Sequence, residues 1–247
     1  MLEIEDVVAG YGGGDILRKL SLRIEQGSLV CIVGPNGAGK STVLRIISGL
    51  LGIRAGAVRF RERQISGLTP RAILKLGLVQ VPQERSLFST MSVRENVRLG
   101  AYTIKDRALV ERRLREVTDA FPIVAERADE PAASLSGGQQ RLVEFARAMM
   151  LEPAILILDE PSMGLDPKTR AVVFDTIKSL NQGGQTVLLV EQNARSGLQL
   201  ADHGVVMENG RVRLEGPGPQ ILGNPEIAEL YLGGTGGRDE AVARVAR

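Results

Sequence analysis

Two periodicities of apolar residues divide the chain. Over residues 2–24 short apolar stretches alternate with polar positions around the turn Gly10-Tyr11-Gly12-Gly13-Gly14, which predicts a small antiparallel β region at the start of the fold. Leu29–Val33 is a continuous apolar run ending in glycine, and residues 41–50 then place Val43, Leu44, Ile46, Ile47 and Leu50 at helical spacing. This is strand, loop, helix. A further strand is expected over 58–60, a helix over 71–76 and a short strand over Leu78–Val81. From 92 to 121 the chain turns charged and helix-favouring, with Glu111, Arg112, Arg113, Arg115 and Glu116 expected on a solvated face of a helical insertion. Strands are expected again over 155–158, 186–190 and 205–207, with helices over 169–180 and Ala194–Leu200 between them. Such alternation predicts an α/β fold with a mainly parallel sheet.

The chain's 247 residues suit one domain with a subdomain better than two complete domains. The expected body is 1–232, with a helical subdomain at about 88–150. Residues 233–247, glycine-rich and then charged, are expected to form a mobile tail. Hydrophobic residues at 43% and charged residues at 24% give an ordinary globular balance, and 29 glycines imply many turns. Aromatics make up only 3%, and the net charge is +2, which together argue against a base-stacking nucleic-acid binder. Cys31, the only cysteine, sits inside an apolar run and is expected to be a packed thiol. No segment reads as a secretion signal or a membrane-spanning helix, so a cytoplasmic chain that meets a membrane through a partner is expected.

Three motifs carry chemistry. Gly34-Pro35-Asn36-Gly37-Ala38-Gly39-Lys40-Ser41 matches the phosphate-loop pattern at every fixed position, with the required strand before it and helix after it. Its glycines let backbone amides converge on phosphate oxygens, while the helix presents its positive end to the same anion. Lys40 is suited to bridge the β- and γ-phosphates of a nucleotide and Ser41 to ligate magnesium, with Thr42 completing the binding stretch. Further on, an apolar strand runs into Asp159 and Glu160, which places two carboxylates at a sheet edge. There Asp159 would hold the magnesium shell and Glu160 would polarise the attacking water. Capping of the next turn is the alternative for such a pair. Finally, Leu135-Ser136-Gly137-Gly138-Gln139 precedes a helical pattern of Leu142, Val143, Phe145, Ala146 and Met149, so Ser136 and its glycines lie at a helix N-terminus, a second anion-binding end.

In this order the three motifs resemble those of the nucleotide-binding subunits of ATP-binding cassette transporters, and the resemblance covers nearly the whole chain. It implies a P-loop NTPase core with ATP and magnesium as cofactors. It further implies two cassettes meeting head to tail, so that Ser136, Gly137, Gly138 and Gln139 close over a partner's nucleotide. Tyr11 looks like the aromatic that stacks on adenine. Gln83 looks like the glutamine that senses magnesium and the attacking water, with Gln80 the competing choice, and the segment through Phe88 looks like the one facing membrane subunits. Residues 162–166 resemble the loop that crosses the dimer interface beside Glu160. Gln192 stands where the family usually has a histidine that contacts the γ-phosphate; its amide can donate a hydrogen bond but cannot carry imidazolium charge. His203, the only histidine, falls later and reads as a surface or packing residue.

Glu191-Gln192-Asn193-Ala194, Phe121-Pro122 and the string at 228–234 resemble the ATPase branch of importers for branched-chain amino acids, with amide or urea importers similar. That branch implies permease subunits, a second and different ATPase subunit, an external solute-binding protein, and a place on the cytoplasmic face of the inner membrane. A homodimer is the alternative pairing. Cassette ATPases of repair would show a long coiled-coil insertion, and those of translation two cassettes in one chain; neither feature is present. A phosphate-loop kinase would need an acceptor site in place of the LSGGQ segment.

Overall fold

The computed structural model describes residues 1–225 and 227. The expected tail at 233–247 and the string at 228–234 lie outside the described residues. The chain opens with β1 (Leu2–Ala9) and β2 (Leu17–Ile24), followed by β3 (Leu29–Val33), α1 (Lys40–Ile47), β4 (Ala55–Phe60) and the two-residue β5 (Arg63–Gln64). Next come α2 (Pro70–Lys75), β6 (Leu78–Val81), α3 (Val93–Leu99), α4 (Arg107–Ala120), α5 (Pro122–Glu126) and α6 (Gly137–Met149). The remainder is β7 (Ile155–Asp159), α7 (Pro167–Gln182), β8 (Val187–Glu191), α8 (Ala194–Leu200), β9 (His203–Glu208), β10 (Arg211–Pro217) and α9 (Gly218–Leu222).

These elements form two sheets. An antiparallel sheet of order β2-β1-β4-β5 stands beside a six-stranded sheet of order β10-β9-β3-β8-β7-β6, parallel throughout except for the edge strand β10. β3 and the first four residues of β7 and of β8 are unbroken apolar runs because helices cover one face of this sheet and α1 with the small sheet covers the other. Side chains of a strand alternate between faces, and β3 divides its own accordingly. Leu29, Cys31 and Val33 join Phe145, Val173 and Ile177 in one core, while Val30 and Ile32 join Leu44, Ile47, Leu2 and Phe60 in the other. Phe145 is fully buried, so its truncation to Ala would cost about 3–5 kcal/mol.

The expected strand and helix positions agree with the structure to within a few residues. Between β6 and β7 the regular elements are all helical. One expectation needs correction: Arg113 does not share the solvated face of α4. Only 13% of its side chain is exposed, and it is ion-paired with Glu152 beyond the end of α6. Its neighbours Arg112 and Glu116 do stay in solvent, at 61% and 53%. No helix among the described residues is long and apolar enough to cross a membrane.

Candidate active site

The parallel strands β3 and β7 end on the same edge, which delivers the phosphate loop and the two acids to one place. Residues 34–39 turn the chain from β3 into α1. Gly39 occupies the N-cap with φ 103° and offers no side-chain cap, so the first amides of α1 are left for an anion. Gly34 must be glycine for a different reason: a Cβ there would lie 2.5 Å from the Met207 carbonyl oxygen. Pro35, Asn36, Gly37 and Ser41 are exposed, whereas Ala38, Lys40 and Thr42 are buried. Lys40 folds back over the loop, its Nζ donating to the carbonyl oxygens of Gly34 at 2.8 Å and Pro35 at 3.3 Å. It also lies 3.9 Å from Glu160 Oε1.

Glu160 follows β7 with a left-handed backbone, φ 44°, which costs a non-glycine residue free energy and turns its side chain out of the strand. Its N–H remains tied to Val190 O at 2.9 Å, and its Oε2 accepts from Gln83 Nε2 at 3.1 Å. The structure therefore brings together Lys40, Gln83 and Glu160. Gln80 is directed elsewhere, accepting from Ser48 at 2.5 Å. Asp159 Oδ1 is buried with no hydrogen-bond partner, and burial, then the Glu160 charge, raises its pKa. A buried, orphaned carboxylate oxygen beside a phosphate cradle fits a hard cation and its water shell. Among the described residues no cluster of three or more His, Cys, Asp or Glu could hold a metal, so such a cation would share its oxygens with hydroxyl, amide and nucleotide groups.

Gln192 is exposed and lines a cavity of about 260 Å³ together with Glu160, Ser162, Arg170 and Glu191. Tyr11, 45% exposed in the turn between β1 and β2, accepts a hydrogen bond from Arg45 of α1 at 3.0 Å, with that guanidinium 5.6 Å from the ring centroid. His203 lies outside the site, its Nε2 3.5 Å from Glu215.

Ser136 caps α6 reciprocally: its hydroxyl accepts from Gln139 N at 3.3 Å, and Gln139 Oε1 accepts from Ser136 N at 2.9 Å. Gly138 has no room for a side chain, since a Cβ would sit 2.0 Å from a Thr169 methyl, and Gly137 lies against Arg85. No hydrogen bond joins residues 136–139 to residues 34–42.

Several supporting residues escaped the sequence reading. Arg45 holds Tyr11, Glu191 receives Ser162, and Arg141, Glu144 and Arg147 bond the loop that carries Gln83. The available signal was Arg141 and Glu144 at helical spacing with Phe145 and Ala148 on the buried side of α6.

A phosphate loop, a carboxylate pair at the edge of a parallel sheet and a capped LSGGQ helix define an ATPase of the cassette class. The ABC transporter family model matches residues 17–163, and the chain belongs to that family. A high-affinity branched-chain amino acid transport ATP-binding protein of Pseudomonas aeruginosa is 38% identical, over 95% of this chain and all of the relative. A probable branched-chain amino acid transport ATP-binding protein of Archaeoglobus fulgidus is 35% identical, over 94% of this chain and 99% of its own length. The solved ADP conformation of an ATP-binding cassette of an ABC transporter superposes with a TM-score of 0.86 at 29% identity, covering 94% of this chain and 98% of that one. The chain is thus the ATP-hydrolysing subunit of a transporter, working with membrane permease subunits and a second cassette.

Proposed function

We propose that this subunit powers uptake of branched-chain amino acids from the cytoplasmic face of the inner membrane. Residues 1–232 serve as its nucleotide-binding domain and about 88–150 as a helical subdomain. The observation that carries the catalytic part is the meeting of Lys40, Gln83 and Glu160 beside the orphaned oxygen of Asp159. Residues 34–42 hold the phosphates, with Lys40 exchanging its loop carbonyls for phosphate oxygens, and Tyr11 stacks on adenine. Ser41, Gln83 and Asp159 would hold magnesium, which when bound would neutralise phosphate charge. Gln83 orients the water, and Glu160 takes its proton as the oxygen attacks phosphorus, leaving ADP and inorganic phosphate. Gln192 donates to the γ-phosphate.

Ser136 to Gln139 close over the nucleotide of a second, different ATPase subunit, a reading supported by the lack of any hydrogen bond from them to this chain's own cradle. Exposed Leu50, Phe88 and Tyr102, at 63%, 56% and 68%, supply apolar surface for a permease. An external solute-binding protein delivers the cargo, a reading supported by the similarity to two branched-chain amino acid transport subunits.

The test is to purify the intact complex through this chain, identify its subunits, and measure ATPase activity in vesicles with the solute-binding protein and leucine, isoleucine or valine. Co-purifying permeases and a second cassette, with ATPase activity stimulated by these amino acids, are expected. Stimulation by urea or amides alone would overturn the cargo, and two copies of this chain would overturn the heterodimer.

A further inference from the structure

The loop that presents Gln83 is gripped from the side by α6. Arg141 donates to the carbonyl oxygens of Pro82 and Gln83, both at 2.8 Å, and to Glu144 Oε2 at 2.8 Å. Glu144 Oε1 accepts from Ser86 N at 2.6 Å and from Ser86 Oγ at 3.0 Å. Arg147 donates to Ser86 O at 2.8 Å and also to the Ser86 hydroxyl. One face of the helix thus bonds residues 82, 83 and 86. Arg85, inside the same loop, lies against Gly137 at the start of that helix.

Arg141 and Glu144 are 5% and 1% exposed, and burial lowers the pKa of the Arg147 guanidinium. Apolar side chains of similar size would hold a helix against a loop without removing charges from water. What the charged grip adds is direction: a guanidinium fork and a carboxylate accept few arrangements of the backbone they bind.

We propose that Arg141, Glu144 and Arg147 are positioning residues that seat the Gln83 loop on α6 and so aim the Gln83 amide at Glu160. This rests on the role proposed above for Gln83. With the loop seated on α6, the Gln83 amide lies 3.1 Å from Glu160.

The experiment is a double-mutant cycle on ATPase kinetics in the transporter purified with its permeases. Glu144→Gln should lower kcat about tenfold and leave KM for ATP within about twofold, because the grip does not touch residues 34–42. In a Gln83→Ala background the same change should alter kcat by less than about twofold. Losses that multiply, or a parallel rise in KM, overturn the proposal. Wild-type kcat in Gln83→Ala alone would instead remove the role of Gln83, a result independent of every α6 variant. Since removing half of a buried pair can prevent folding, Ser86→Ala runs the same cycle with a small change, expected to cost about threefold only where Gln83 is present. Equal loss in both backgrounds overturns the proposal.

Discussion

Ser162 gives two hydrogen bonds to the Glu191 carboxylate, its N–H to Oε1 at 3.2 Å and its hydroxyl to Oε2 at 3.0 Å. Ser162 begins the loop after Glu160, and Glu191 ends β8 one residue before Gln192. Glu160, the proposed general base, and Gln192 are therefore flanked by one buried hydrogen-bonded pair.

That pair has a pH cost. Burial raises the Glu191 pKa, partly offset by the Ser162 bonds and reinforced by the Glu160 charge. The native carboxyl holds its proton to higher pH than the unfolded one. This stability contribution is full below the ordinary glutamate value of about 4.3 and is lost as pH rises through the raised native value. Glu191→Gln cannot titrate and still offers an oxygen to Ser162. Denaturant midpoints measured from about pH 4 to about pH 8 should fall less with pH in the variant than in the wild type. Parallel curves would show that Glu191 is not the group responsible.

Cys31 gives a direct probe of the same region. It is fully buried in β3, and burial first, then the Glu191 charge, raises its thiol pKa well above the ordinary value. Thiolate, the reactive form, is thus suppressed and shielded together. Labelling by a small disulfide reagent at about pH 8 should be at least a hundredfold slower in the native chain than in denaturant, roughly. Comparable rates would contradict the packing of β3 against α8.

Legibility in the sequence followed the range of the interactions. β3, β7 and β8 were visible because burial on both faces writes a continuous apolar run. β10 was missed although Asn209-Gly210, both at positive φ, is a hairpin signal. Its alternating half-exposed residues lack an apolar run, and the two-residue β5 is too short to have a period. Phosphate-loop and carboxylate motifs are local strings and could be read, whereas the partners of Arg141 and Glu144 lie on residues 82–86, far along the chain. Arg113 was misassigned for the same reason: its partner Glu152 is beyond the next helix but one.

Glu160→Gln should separate binding from chemistry. A glutamine preserves size and can still meet the Gln83 amide, and the cradle formed by residues 34–42 is untouched. ATP affinity should stay within about threefold while kcat falls by about two to four orders of magnitude, the usual reach of a lost general base. Turnover within about threefold of wild type would remove Glu160 from that role.

Lys40→Ala should act on binding itself. The ammonium is nearly buried and held by two carbonyl oxygens, so its position is set before nucleotide arrives. Removing a charge-assisted contact to phosphate should raise the Kd for ATP at least about tenfold, close to 1.4 kcal/mol. Equilibrium titration with a fluorescent ATP analogue measures it, and wild-type affinity would count against the phosphate cradle.

Gln192→His asks what the missing imidazole changes. The exposed side chain lines the cavity beside Glu160, so a histidine there meets no packing obstacle. A glutamine amide donates at any pH, whereas an imidazole gains a positive charge below about pH 6.5 and would bind phosphate more strongly in that form. Turnover of the assembled transporter should therefore change and acquire an inflection between about pH 6 and pH 7 that the wild type lacks. Tighter product phosphate can also slow release, so the sign of the change in kcat reports whether chemistry or release limits this site. If rate and pH profile both match the wild type, position 192 does not touch the phosphate during turnover.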